Sequence, residues 1–245
     1  MKIILCGKGG CGKSTLATLL ARAYHEEGKN VLVIDSDESN YGLHRQLGFD
    51  LPEDFTHYFG DKRGAFREYD DKGYLFDKKW SISDIPEEYL SGEEGLHLMA
   101  IGKIHEAEEG CACAMGFTAK MFLENLVTGE DDIVITDTEA GVEHFGRGVD
   151  KSADIILMVI DPSYESIRLS EKIHEMGRAI GKPVFFVINK ADRDQARMIK
   201  DALKHSDAVI AEVPVDTEIM MAGLRGEAID KEVPEIQTII NAVRI

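Results

Sequence analysis

Short apolar runs alternate with longer amphipathic stretches along most of the chain. Residues 2–6, 31–35, 132–137, 154–161, 183–189 and 208–213 are dominated by aliphatic and β-branched side chains, the pattern of strands buried on both faces. Between them, over 13–28, 116–127, 164–180, 194–205 and 217–224, the apolar positions return at helical spacing. Strand, helix and strand repeated in this way predict parallel pairing through right-handed crossovers. The fold class expected is α/β, a doubly wound and mainly parallel sheet in a single domain over 1–245. Functional groups are then expected on loops after the carboxyl ends of strands. Residues 50–95 break the rhythm, being rich in Asp, Glu, Lys and aromatic residues and holding the single Trp, Trp80. That stretch reads as a solvated insertion, or as a segment that orders with a partner. In the tail, Ile236, Ile239, Ile240 and Val243 share one helical stripe with little positive charge nearby, which favours a packing helix over a membrane anchor.

Charge narrows the partners. Lys plus Arg total 28 against 45 Asp plus Glu, a net charge of -17. Such an excess repels phosphate backbones and anionic lipid, so neither nucleic acid nor a membrane is expected as a main partner. No secretory signal precedes the first strand and no apolar run approaches membrane-spanning length. A cytoplasmic location is expected, in which the thiols of Cys6, Cys11, Cys111 and Cys113 are reduced and suited to metal more than to disulfides.

The first strand runs into Gly7-Lys8-Gly9-Gly10-Cys11-Gly12-Lys13-Ser14-Thr15, which satisfies G-x-x-x-x-G-K-[ST] and opens a helix. The glycines let backbone N–H groups converge on a polyphosphate, and the helix N-terminus adds partial positive charge. Lys13 is placed to reach the β- and γ-phosphates, and Ser14 to offer its hydroxyl to Mg²⁺. Cys11 reads as a small side chain tolerated by the loop, and Cys6 as core. Lys8 is not required by the general pattern. With it, the loop resembles the deviant P-loop family of MinD, the partition ATPases and nitrogenase iron protein. That resemblance implies an ATP-gated homodimer in which Lys8 reaches the partner's nucleotide.

Further motifs fit the same family. Asp35-Ser36-Asp37 ends the second strand and resembles switch I. The resemblance implies that Asp37 activates the attacking water while Asp35 supports the Mg²⁺ shell. Asp137 to Gly141 resembles the Walker B strand and switch II, with Asp137 a second-shell Mg²⁺ ligand and Gly141 free to sense the γ-phosphate. Asn189 resembles the adenine-contacting residue, and Pro214 lies in a string like the second base-contacting loop. Asn189-Lys190-Ala191-Asp192 also satisfies N-K-x-D, which selects guanine in GTPases; ATP is favoured on the P-loop, and the choice of base stays open.

Gly110-Cys111-Ala112-Cys113-Ala114 is the feature most particular to this chain. In an extended segment residues i and i+2 point to one side, so both thiols would face one point. Two thiols are too few for a tetrahedral site, but a two-fold dimer supplies four. His144 is a possible third ligand, although a satisfied histidine at a helix start is the plainer reading. With the Cys-x-Cys and Ala140-Gly141-Val142-Glu143-His144-Phe145-Gly146-Arg147-Gly148, the chain resembles the CooC-type nickel ATPases. This implies an ATPase that binds Ni²⁺, or Zn²⁺, between subunits and serves carbon monoxide dehydrogenase or acetyl-CoA synthase as client. An ATP-gated iron–sulfur reductase and a spatial regulator of MinD or partition type are the alternatives.

Overall fold

The computed structural model describes residues 1–105 and 112–244. Chain order begins β1 (Lys2–Gly7), α1 (Lys13–Glu26), β2 (Asn30–Asp35), α2 (Leu43–Leu47), α3 (Gly64–Lys72), β3 (Ser91–Glu93) and β4 (Leu96–Ala100). It continues with α4 (Ala112–Asn125), β5 (Asp132–Asp137), α5 (Glu143–Arg147), β6 (Ile155–Ile160), α6 (Tyr164–Ala179), β7 (Val184–Asn189) and α7 (Arg193–Ala202). β8 (Val209–Val213), α8 (Thr217–Arg225) and α9 (Pro234–Val243) complete it. The eight strands form one sheet in the order β3-β4-β2-β5-β1-β6-β7-β8, parallel throughout except for β3 against β4. This is the doubly wound α/β architecture expected from the alternation of strand and helix.

Each buried strand serves two cores because successive side chains point to opposite faces. In β1, Ile4 and Cys6 pack with Met115, Ala119 and Phe122 of α4 and Ile173 of α6. Ile3 and Leu5 face the other way, to Leu16 and Leu20 of α1 and to Ile236, Ile239, Ile240 and Val243 of α9. The tail is therefore a packing helix, as its stripe predicted.

Residues 50–95 overturn the reading of a solvated excursion. Phe55, Phe59, Ala65, Leu75, Trp80, Ile82, Ile85 and Tyr89 are buried in the same core as α4. Phe55 sits at the centre of an aromatic cluster, its ring 5.0 Å from Phe122, 5.5 Å from Tyr89 and 6.2 Å from Trp80. Edge-to-face contacts of this kind add to the area buried. The segment also delivers β3 and leads into β4, which pairs with β2 in register Val31 to Leu96 through Asp35 to Ala100. Helix α4 begins earlier than expected, at Ala112, and so contains Cys113. Among the described residues no helix is long and apolar enough to cross a membrane.

Candidate functional site

The strand order brings the carboxyl ends of β1, β2 and β5 side by side, and with them three of the motifs. A cavity of about 400 Å³ opens there, lined by Gly9, Gly10, Gly12, Lys13, Ser14 and Thr15 of the P-loop, by Asp37 and Asn40, and by Ala140 and Lys190. Gly12 has φ +102, and a Cβ at that position would collide with the Asn189 amide; only glycine meets both demands. The loop therefore keeps its backbone open toward the cavity where α1 begins.

Ser14 Oγ donates to Asp137 Oδ2 at 2.5 Å and accepts from Asn40 Nδ2 at 2.7 Å. Asp137 is fully buried, and its Oδ1 has no hydrogen-bond partner among the described residues. Burial pushes its carboxyl up to about 6, against the pull of the Ser14 hydroxyl and Lys13. An unsatisfied buried carboxylate oxygen beside a hydroxyl is a donor set suited to a hard divalent cation. Ser14 as direct ligand and Asp137 behind it would hold Mg²⁺, whose chemistry would be to neutralise phosphate charge. Asp37 Oδ1 accepts from Ser39 N at 3.0 Å and from Ser39 Oγ at 2.6 Å, which fixes the carboxylate at the cavity rim.

The structure gives several expected residues partners that the sequence did not reveal. Asp35, expected to support the Mg²⁺ shell, has its carboxylate 2.5 Å from the buried ammonium of Lys103. Burial raises the Asp35 carboxyl, to about 7, with Lys103 opposing that rise. Lys8 does not point to a phosphate in the single chain; it pairs with Asp161 Oδ2 at 2.9 Å, at the end of β6. Asn189, expected to contact adenine, is buried and donates Nδ2 to the carbonyl of Cys11 at 2.8 Å, bracing the P-loop from behind. Lys190 donates to the Gly10 carbonyl at 2.9 Å and lines the cavity. Asp192, the last residue of the N-K-x-D string, caps α7 by accepting from Gln195 N at 2.8 Å. Pro214 is exposed just past β8. Gly141 N donates to Gly7 O at 3.1 Å, tying the loop after β5 to the P-loop strand.

The thiols separate into two kinds. Cys6 and Cys11 are buried, and burial raises both thiols, that of Cys11 to about 11, so neither is a ready thiolate. Cys113 is exposed in the first turn of α4. The extended Cys-x-Cys geometry therefore does not hold for Cys113, which is helical; Cys111 lies outside the described residues. His144 is buried with Nε2 3.5 Å from Asp150 Oδ1, in keeping with a structural histidine. Among the described residues no three His, Cys, Asp or Glu side chains are gathered to hold a metal ion.

Sequence comparison agrees with this geometry. Residues 2–229 match the model of the CobQ/CobB/MinD/ParA nucleotide binding domain. An uncharacterized ATP-binding protein of Methanocaldococcus jannaschii is 48% identical over 245 residues, 98% of each chain. The carbon monoxide dehydrogenase accessory protein CooC of Rhodospirillum rubrum is 31% identical, covering 92% of this chain and 89% of its own. The cell division ATPase MinD of Pyrococcus furiosus superposes with a TM-score of 0.70 at 18% identity, over 99% of both chains, which shows a shared fold. The matched model spans nearly the whole chain and the Rhodospirillum rubrum relative covers 92% of it, so the chain belongs to the CobQ/CobB/MinD/ParA family of P-loop ATPases.

Proposed function

We propose that the chain is an ATP-driven metallochaperone that receives Ni²⁺, or Zn²⁺, through Cys111 and Cys113 and passes it to carbon monoxide dehydrogenase or acetyl-CoA synthase. The observation that carries this reading is the placement of Cys113. It is exposed at the start of a helix, while Cys6 and Cys11 are shut away with raised thiol pKa values. The similarity to the Rhodospirillum rubrum carbon monoxide dehydrogenase accessory protein supports the choice of client.

In this reading ATP·Mg²⁺ occupies the cavity, with Lys13 on the β- and γ-phosphates and Ser14 on the cation. Asp37 orients the attacking water. Lys8 leaves Asp161 for the partner's nucleotide, and two subunits close so that each lends its thiols to one metal on the two-fold axis. Hydrolysis then relaxes the switches and loosens that shared site. The cargo is a soft or borderline cation, which thiolates select over Mg²⁺.

The test is the metal content of anaerobically purified protein, with and without ATP. About one nickel or zinc per dimer is expected, and none in the Cys111→Ala/Cys113→Ala double variant, which should still bind ATP. If that variant bound nickel as tightly as the parent, the thiol site would be wrong. Iron with acid-labile sulfide in its place would indicate an iron–sulfur reductase.

A further inference from the structure

The described residues include one lysine whose side chain is wholly buried and whose three ammonium protons are all spent. Lys103 lies just past β4. Its Nζ is 2.5 Å from Asp35 Oδ2, 2.6 Å from the carbonyl of Asp37 and 2.5 Å from the carbonyl of Asn40. An ammonium has three donors and no acceptor, so this set is complete. A lysine with no exposed surface is costly to fold unless its charge is paired and every proton is used. Helix or strand structure does not demand it here, because the residue stands in a loop.

Two of its acceptors are the first and last carbonyls of the switch I turn. Asn40 N closes that turn on Asp37 O at 3.3 Å. Within it Asp37 presents its carboxylate to the cavity, and Asn40 donates to Ser14 Oγ. The backbone around Lys103 is fastened in turn. Ile101 N donates to Asp35 O at 2.9 Å and Ile104 N to Glu38 O at 3.1 Å, while Lys103 N donates to the buried Asp54 at 3.0 Å. Lys62 donates to the carbonyl of Lys103, and Tyr41 to that of Ile104. Residues 101–105 thus form a strap bonded on one side to switch I and on the other to the 50–95 segment.

We propose that Lys103 is a positioning residue for ATP hydrolysis, which sets the switch I turn so that Asp37 faces the attacking water and Asn40 aims the Ser14 hydroxyl at Mg²⁺. The proposal rests on the role given above to Asp37 and is independent of the metal cargo. Lys103 does not line the cavity. Its effect passes through two carbonyls and is felt in the rate of the chemical step more than in nucleotide capture, which belongs to the P-loop.

Replacing Lys103 alone leaves Asp35 buried without its cation and risks the fold. The informative protein is therefore Lys103→Met/Asp35→Asn, in which both charges are gone. With its melting temperature and circular dichroism near those of the parent, kcat is expected to fall by about 10- to 100-fold with KM within about threefold. The Mg²⁺ concentration for half-maximal rate should rise as well, and both changes should exceed those in Asp35→Asn alone, in which Lys103 still holds the two carbonyls. A folded double variant with kcat and Mg²⁺ dependence within about twofold of the parent would overturn the proposal. Asp37→Asn, measured alongside, keeps the two ideas apart: if it hydrolyses ATP at the parent rate, the role of Asp37 fails, whatever Lys103 does.

Discussion

Asp150 is buried beside His144, and burial raises its carboxyl to about 7; Asp137 is raised to about 6 for the same reason. Each of these groups keeps its proton to a higher pH folded than unfolded. These carboxyls therefore hold extra protons between roughly pH 4 and pH 7, and their share of the stability falls as pH rises through that window, against an opposite share from His44, His97 and His174, from which burial drives the proton. We expect urea midpoints of the nucleotide-free protein to decline from pH 5 to pH 8, and Asp150→Asn to flatten the decline. At pH 8 that variant should be more stable than the parent by on the order of 1–3 kcal/mol. An unchanged slope would mean that Asp150 is ionised at neutral pH in the folded state. At this scale the sequence revealed most where the chemistry is local. The P-loop is contiguous, so Lys13 and Ser14 were legible from spacing alone. Lys103 was not, because its carboxylate partner Asp35 is 68 residues away and a lone lysine after an apolar run carries no signal.

The elements were legible in proportion to their length and regularity. β1, β2, β5, β6, β7 and β8 follow apolar runs, whereas β4 (Leu96–Ala100), as long as β8, is interrupted by His97 at its second position and follows Glu93 and Glu94. The 50–95 segment misled for a related reason. Its charges outnumber its apolar residues locally, and only tertiary contact shows that Phe55, Phe59, Trp80 and Tyr89 turn into the core. Trp80 illustrates this: Val127 N donates to its carbonyl at 2.7 Å while its ring packs 5.1 Å from Phe76 and 5.4 Å from Tyr58. Trp80→Ala is expected to cost about 3–5 kcal/mol in denaturant unfolding, the range for a large aromatic taken from a core. A loss under about 1 kcal/mol would return the segment to the surface.

For the whole molecule, the decisive arrangement is one face on which the P-loop with Lys8 and the loops after β2 and β5 emerge together from neighbouring strand ends. The doubly wound topology was readable because it follows from strand–helix alternation and crossover handedness. How two such faces meet was not readable, since the chain carries only one half of any shared site. Lys8 is held by Asp161, which also accepts from the hydroxyls of Ser163 at 2.6 Å and Ser166 at 2.5 Å. Under the proposed dimer, Lys8→Ala should bind ATP about as well as the parent yet stay monomeric with a non-hydrolysable analogue, and hydrolyse ATP about 10-fold or more slowly. Light scattering and turnover measured on the same samples decide this. A variant that dimerises normally would remove Lys8 from the interface.

The bond from Gly141 to Gly7 has a consequence for how readily this machine can be reset. The Gly141 N–H, which under the proposed function would turn to the terminal phosphate, is already satisfied by the Gly7 carbonyl. Under the proposed function loading would exchange a neutral carbonyl for a charged phosphate oxygen, so the amide is bare in neither state and the charge-assisted bond favours the loaded one. With φ at +91, the glycine can swing its peptide without meeting the barrier a side chain would impose. Such a toggle would be held by one ordinary hydrogen bond when empty and by a stronger one when loaded, so the gain or loss of a single phosphoryl group would be enough to move it.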